Sequence, residues 1–210
     1  MTTIGAQRER FAIIFVCTGN VCRSPFAERV ARWLIDNRLS VQDANRVITR
    51  SAGTHALHGA AMDRQSETHL RALGLDAAGF VATQFAADTV SNADLVLTAT
   101  LGHRAIVVEH HPPALKTAFT LREFAYLLGN LDFNAHQLPA DPILRARTIR
   151  EFVRDSRGLN PPLADQDYEV PDPYGKDDAS HAQAARIIRE AISGVIDRLW
   201  PLDDRVARIG

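Results

Sequence analysis

Between the apolar run Phe11–Val16 and the dipeptide Ser24-Pro25 lies Cys17-Thr18-Gly19-Asn20-Val21-Cys22-Arg23, and this junction constrains the fold more than any other stretch. A short run of β-prone apolar residues ending at a Gly-Asn pair predicts a buried strand. Ser24 and Pro25 have the character of an N-cap and a first-turn proline, and the amphipathic stretch that follows predicts a helix to about Arg38. Cys17 therefore sits where a strand delivers the chain into a loop, and the loop delivers it into a helix N-terminus.

Such a position favours an anion, because unpaired amide N–H groups and the positive end of the helix dipole converge there. The same field turns a thiol into a thiolate. Arg23 adds a permanent charge and a planar fork that grips two phosphate oxygens, and Ser24 has a hydroxyl to donate to the sulfur. Gly19 is expected to let the backbone turn tightly, and Asn20 to take a left-handed conformation while its side chain ties the loop together. The amides of Thr18, Gly19, Asn20, Val21, Cys22 and Ser24 complete an oxyanion cradle around the nucleophile.

The rest of the chain supplies a scaffold for that junction. A length of 210 residues with 46% hydrophobic content predicts one domain, 1–210, with a sizeable core. With 24 basic against 25 acidic residues and no basic block, nucleic acid is not expected as a partner. No apolar run approaches the length of a membrane span, and no membrane association is expected. Both cysteines lie in one loop, which is no disulfide framework, and a reactive thiol calls for a reducing, cytoplasmic setting.

Further short strands are predicted at 46–51, 94–99 and 115–119, with helices at about 62–73, from Pro142 to about Arg157, and in the final stretch. There Ile188, Ala191, Ile192, Val195 and Leu199 recur at helical spacing. Strands alternating with helices predict an α/β fold, a doubly wound four-stranded parallel sheet with helices on both faces. Its ligand site lies beyond the carboxyl ends of the strands, where the cysteine loop falls. Thr120-Leu121-Arg122-Glu123 is a capping-box sequence, and a Pro- and Asp-rich connector runs from Leu159 to Asp178.

The cysteine loop with its serine, Ser51-Ala52-Gly53-Thr54 after the second strand, and Val170-Pro171-Asp172-Pro173-Tyr174 before the last helix together resemble the low-molecular-weight protein tyrosine phosphatases. The resemblance covers most of the chain except a helical insertion at about 122–168. It implies Cys17 as nucleophile, Arg23 as phosphate clamp, Asp172 as general acid and a phosphotyrosine protein as substrate. It also places Ser51 behind the loop, within reach of Asn20, although a plain strand-end serine is an equal reading. Tyr174 would be the aromatic wall of the pocket, and Leu57 or a neighbouring histidine its other side, as in bacterial members.

The chemistry asks for the same parts. A thiolate that attacks a phosphate monoester expels an oxygen anion, which needs a nearby acid; that carboxyl then serves as base for the water that hydrolyses the cysteinyl-phosphate. No cofactor or metal is required. Asp141-Pro142 is a rival for the acid, but a long helical pattern follows it, and an N-cap with proline in the first turn explains it.

Three function classes remain. Besides a phosphatase, the loop suits an arsenate reductase of the related family using an external thiol, or a non-catalytic phosphate or phosphopeptide-binding module. The lack of any cysteine beyond Cys22 and the presence of Asp172 favour hydrolysis. Cys22 is either an inert small residue or a partner that shields Cys17 by forming a loop disulfide. The histidines match no regular metal-ligand spacing. Arg145, Arg147, Arg150, Arg154 and Arg157 form either a solvated face or a surface for acidic substrates, and Ile149, Phe152 and Val153 require the insertion to pack on this domain or on a partner.

Overall fold

A computed structural model describes residues 9–133 and 137–202. Among these, strands β1 (Phe11–Cys17), β2 (Val47–Gly53), β3 (Leu95–Thr98) and β4 (Ala118–Thr120) form one sheet in the order β2-β1-β3-β4, with every pair parallel. The helices are α1 (Arg23–Asp36), α2 (Val41–Ala44), α3 (Arg64–Arg71), α4 (Ala87–Ser91), α5 (Leu101–His110), α6 (Leu121–Gly129), α7 (Pro142–Asp155) and α8 (Asp178–Leu199). The chain leaves β1 for β2 on one side and returns to β3 on the other. That reversal opens a crevice at the carboxyl end of β1, where Cys17 is the last strand residue.

Both faces of the sheet are covered, as a doubly wound arrangement requires. On one face Phe11, Ile13 and Phe15 pack with Phe26, Val30 and Ile35 of α1 and with Ile188, Ile192, Val195 and Leu199 of α8. On the other, Ile14, Val16 and Val96 meet Val90 of α4 and Val107 of α5. Alternation along β1 thus sends successive side chains to opposite cores.

Helix α7 packs on the rest of the described chain. Ile143, Ala146, Ile149 and Val153 of α7 are fully buried in the core that holds α1 and α8. Its arginines mostly fasten the helix rather than forming a free cationic face. Arg147 Nε lies 2.8 Å from Asp94, and Arg145 Nε donates to the Leu199 carbonyl at 3.2 Å. Arg157 stacks 3.6 Å over the Phe119 ring and pairs with Glu123 at 3.1 Å, while Arg150 and Arg154 pair with their neighbours Glu151 and Asp155. Asp141 accepts from the amides of Ile143 and Leu144, with Pro142 in the first turn, so it is the cap its sequence suggested. Thr120 and Glu123 form the reciprocal capping box of α6.

Several boundaries differ from expectation by a few residues, and three of the differences have a local cause. The fourth strand covers 118–120 instead of 115–119, because Pro112-Pro113 set a 3₁₀ turn that runs to Lys116. The helix expected at 62–73 contracts to α3, since Asp63 caps it by accepting from Gln65 and Ser66. Helix α1 begins at Arg23 with Cys22 in the cap position and no side-chain cap bond, so Ser24 is not its N-cap. Its hydroxyl is used elsewhere.

Candidate active site

Cys17 ends β1 in a buried position, and its Sγ lies 2.9 Å from Ser24 Oγ. A chain of groups behind the loop holds the Ser24 hydroxyl in place. The Thr83 amide donates to Asn20 Oδ1 at 2.7 Å, which fixes the orientation of the Asn20 amide. Its Nδ2 then donates to Ser24 Oγ and to Ser51 Oγ, each at 2.9 Å. Ser51 passes its own hydrogen to Glu28 at 2.6 Å. Ser24 Oγ thus accepts from Asn20 and has a single hydrogen to give, for which Cys17 Sγ at 2.9 Å is the nearer acceptor and the Ala52 carbonyl at 3.4 Å the farther. Burial raises Glu28 above the usual carboxylate range, with the Ser51 bond opposing it.

Backbone geometry makes this arrangement possible at two positions. Asn20 has φ 53°, in the left-handed region that asparagine tolerates. Gly53, at the end of β2, lies so close to the loop that a Cβ would sit 2.4 Å from the Thr18 carbonyl oxygen and 2.8 Å from the Asn20 nitrogen. Gly19 does not carry the turn: its φ is not positive, and a Cβ there would meet Val21 and Leu57 only at 3.5 and 3.8 Å. The need for glycine falls on Gly53 instead. The Thr54, His55 and Leu57 amides donate to the carbonyls of Cys17, Thr18 and Gly19, turning those oxygens away from the cradle.

Arg23, 4% exposed, reaches across the loop. Its Nη2 donates to Thr18 Oγ1 at 3.1 Å and lies 2.8 Å from Asp172 Oδ2, while Nη1 donates to the Val170 carbonyl at 3.2 Å. Its Nε is buried with no hydrogen-bond partner, a donor suited to an oxyanion. The Val170 amide donates to the Ala99 carbonyl and Glu169 accepts from the Leu101 amide, which anchors the connector bearing Asp172 at the end of β3. Cys17, Thr18, Gly19, Val21, Cys22, Arg23, His55, Leu57, Asp172 and Tyr174 line one cavity of about 140 Å³. Of the residues singled out from the sequence, Asn20, Ser24 and Ser51 stand behind this cavity as supports, and Asp141 lies away from it at the start of α7, paired with Arg46.

The sequence reading missed His103. Its Nδ1 lies 2.7 Å from Thr100 Oγ1 and its Nε2 2.9 Å from Thr18 Oγ1, which places it behind the residue that steadies Arg23. Burial, with the Arg23 charge adding to it, pushes its pKa down to about 4, so the ring is neutral at physiological pH. Its position just past the end of a central strand was the signal available. Glu28 and Thr83 were missed too, since only the folded chain brings them beneath Asn20. Cys22 faces a different environment from Cys17: burial pushes its thiol up to about 12, partly offset by a hydrogen bond with Ser66. Both cysteines are free thiols.

The sequence profile of the family described as low molecular weight phosphotyrosine protein phosphatase matches residues 12–143. The low molecular weight protein-tyrosine phosphatase A of Mycobacterium tuberculosis is 31% identical over 201 residues, spanning 94% of this chain and 95% of that protein. The protein-arginine-phosphatase of Geobacillus stearothermophilus is 34% identical over 114 residues, 54% of this chain and 71% of that one. The solved structure of the YwlE arginine phosphatase from that organism superposes with a TM-score of 0.63 at 22% identity, covering 95% of this chain and 98% of that one. At that identity the likeness speaks for the fold. Among the described residues no helix is long and apolar enough to cross a membrane.

Proposed function

The chain belongs to the low molecular weight phosphotyrosine protein phosphatase family, and from that premise we propose that it hydrolyses phosphotyrosine in proteins through a cysteinyl-phosphate intermediate. Cys17 is the nucleophile, Arg23 the phosphate clamp and Asp172 the general acid and base. The observation that carries this reading is the 2.8 Å approach of Asp172 to Arg23 in the cavity that Cys17 lines.

An entering phosphate dianion competes with Asp172 for the Arg23 fork. As the guanidinium turns to the phosphate, the carboxyl is freed to face the leaving-group oxygen. Cys17 Sγ attacks phosphorus in line, the bond to the aryl oxygen breaks, and Asp172 gives that oxygen its proton. The loop amides and Arg23 hold the three equatorial oxygens as charge spreads over them. Asp172, now a carboxylate, takes a proton from water attacking the phosphocysteine; inorganic phosphate leaves and the thiolate returns to the Ser24 hydroxyl.

The walls bear on which phosphoresidue enters. Leu57 and Tyr174 are 44% and 56% exposed at the mouth, and Val21 lines it from the loop, giving apolar surfaces on which an aromatic ring stacks. A phosphoguanidinium group would want carboxylate partners, and Asp172 is the single carboxylate among the residues lining this cavity. Phosphotyrosine is therefore the preferred substrate over phosphoarginine. The need to keep Cys17 a free thiol supports a reducing, cytoplasmic setting.

The test compares kcat/KM on matched phosphotyrosine and phosphoarginine peptides with wild type, Cys17→Ser and Asp172→Ala proteins. Hydrolysis of the tyrosine peptide that disappears in Cys17→Ser supports the reading. Equal or better turnover of the arginine peptide would move the substrate assignment to phosphoarginine.

A further inference from the structure

Next to the phosphate loop, three donors of different chemistry converge from three elements. Cys22 comes from the loop, Asp63 from the N-cap of α3 and His181 from the first turn of α8. Their ligating atoms all lie within 4.8 Å of one another, with His181 Nδ1 3.5 Å from Asp63 Oδ1. Cys22 and His181 are buried and Asp63 is partly open to solvent, so the cluster has an inner end and an entry. Cys22, Ser66 and His181 also line a void of about 10 Å³ together with Arg23, Phe26 and Pro173, room on the order of one water-sized atom.

We propose that Cys22 Sγ, a carboxylate oxygen of Asp63 and Nδ1 of His181 form a binding site for one thiophilic divalent cation of the zinc class. Thiolate, carboxylate and neutral imidazole are the donor types such an ion takes in tetrahedral coordination, and one thiolate with one carboxylate cancels its double charge. Asp63 Oδ1 already accepts the capping bonds of α3, and the carboxylate has a second oxygen to offer. Ser66 Oγ, 3.1 Å from His181 Nδ1, stands beside the fourth position, which it or a water fills.

On binding, the Cys22 S–H bond breaks, a sulfur–metal bond forms and the proton goes to solvent. His181 keeps its ring proton on Nε2 and turns its Nδ1 lone pair from Ser66 to the ion. One proton is released per ion bound, so affinity rises with pH. The ion joins the loop, α3 and α8 through a single centre, and its neighbour Pro173 follows Asp172 in the chain. The catalytic assignment is not needed for this site, and its failure would leave that assignment standing.

Metal-free protein titrated with Co²⁺, and separately with Zn²⁺ against a chromophoric chelator, gives a direct readout. The wild type and Cys17→Ser proteins are expected to take up one ion each and to show a thiolate-to-cobalt charge-transfer band. Cys22→Ser should lose the band, and Cys22→Ser, His181→Phe and Asp63→Asn should each bind roughly tenfold more weakly or worse. Asp63→Asn retains a capping oxygen, so its weakened uptake reports the carboxylate and not a misfolded α3. Thermal melting of the metal-free variants identifies any that fail to fold, and saturating Zn²⁺ should raise the melting temperature of wild type but not of Cys22→Ser. A band that survives in Cys22→Ser and vanishes in Cys17→Ser would place the ion on the catalytic thiol and overturn the proposal. Absence of stoichiometric uptake by wild type would overturn it as well.

Discussion

Arg23 Nη2 and Asp172 Oδ2 meet at 2.8 Å, a buried guanidinium against a carboxylate that is 47% exposed. With its carboxylate half open to solvent, the pair is screened and is a weak structural tie. Its value lies in position, since the clamp for the incoming phosphate and the acid for the leaving oxygen touch before substrate arrives.

Asp172→Ala is accordingly expected to lower kcat for aryl phosphates about 10²- to 10⁴-fold. The loss should be greatest for poor leaving groups and smallest for those that need no proton. KM should not rise, because Arg23 loses a competitor for phosphate. Rates across substituted phenyl phosphates check this; a uniform loss regardless of leaving group would remove Asp172 from the acid role.

Gly53→Ala tests the support beneath the loop. A methyl group 2.4 Å from the Thr18 carbonyl oxygen requires backbone to move, at a cost of about 2–4 kcal/mol. Thermal melting should show a fall in Tm on the order of 10 °C. Gly19→Ala, where the added methyl meets only ordinary contacts, should melt within a few degrees of wild type.

His103 gives a pH signature in stability. Its folded value of about 4 lies below the 6.5 of a free imidazole, so between those limits the unfolded chain binds the proton and the folded chain does not. Stability is full above about pH 6.5 and declines as pH falls to about 4, by roughly 3 kcal/mol from this group. Denaturant melts of wild type against His103→Gln across that range should differ in slope there and run parallel above it. Parallel curves throughout would mean His103 titrates normally.

Tyr174→Ala should raise KM for a phosphotyrosine peptide by roughly two- to tenfold, the loss of one aromatic stacking contact. Competitive inhibition by inorganic phosphate, which uses the loop alone, should stay near the wild-type value. A parallel weakening of both would place Tyr174 in the support of the loop instead of the wall.

What was legible in the sequence was the part of the site that is contiguous or borne on motifs. The strand-loop-helix junction marked Cys17 and Arg23 by local spacing, whereas Asp172 and Tyr174 were marked by the family resemblance of the motif that carries them; all four line one cavity. Ser24 was visible but its use was not: beside Pro25 it has the look of a cap, whereas the fold holds its hydroxyl between the Asn20 amide and the Cys17 sulfur. His103, Glu28 and Thr83 were hidden for a common reason. Each meets the loop through the sheet order and not through spacing along the chain. Asp63 and His181, far apart in sequence, likewise approach Cys22 only once α3 and α8 are packed.

The central claim is that phosphate passes through a covalent bond to Cys17. Asp172→Ala protein mixed with an aryl phosphate, quenched in acid within its first turnovers and mapped by mass spectrometry, should carry phosphate on Cys17 and at no other residue. Full hydrolysis with no phosphocysteine trapped, together with undiminished turnover by Cys17→Ser, would contradict it.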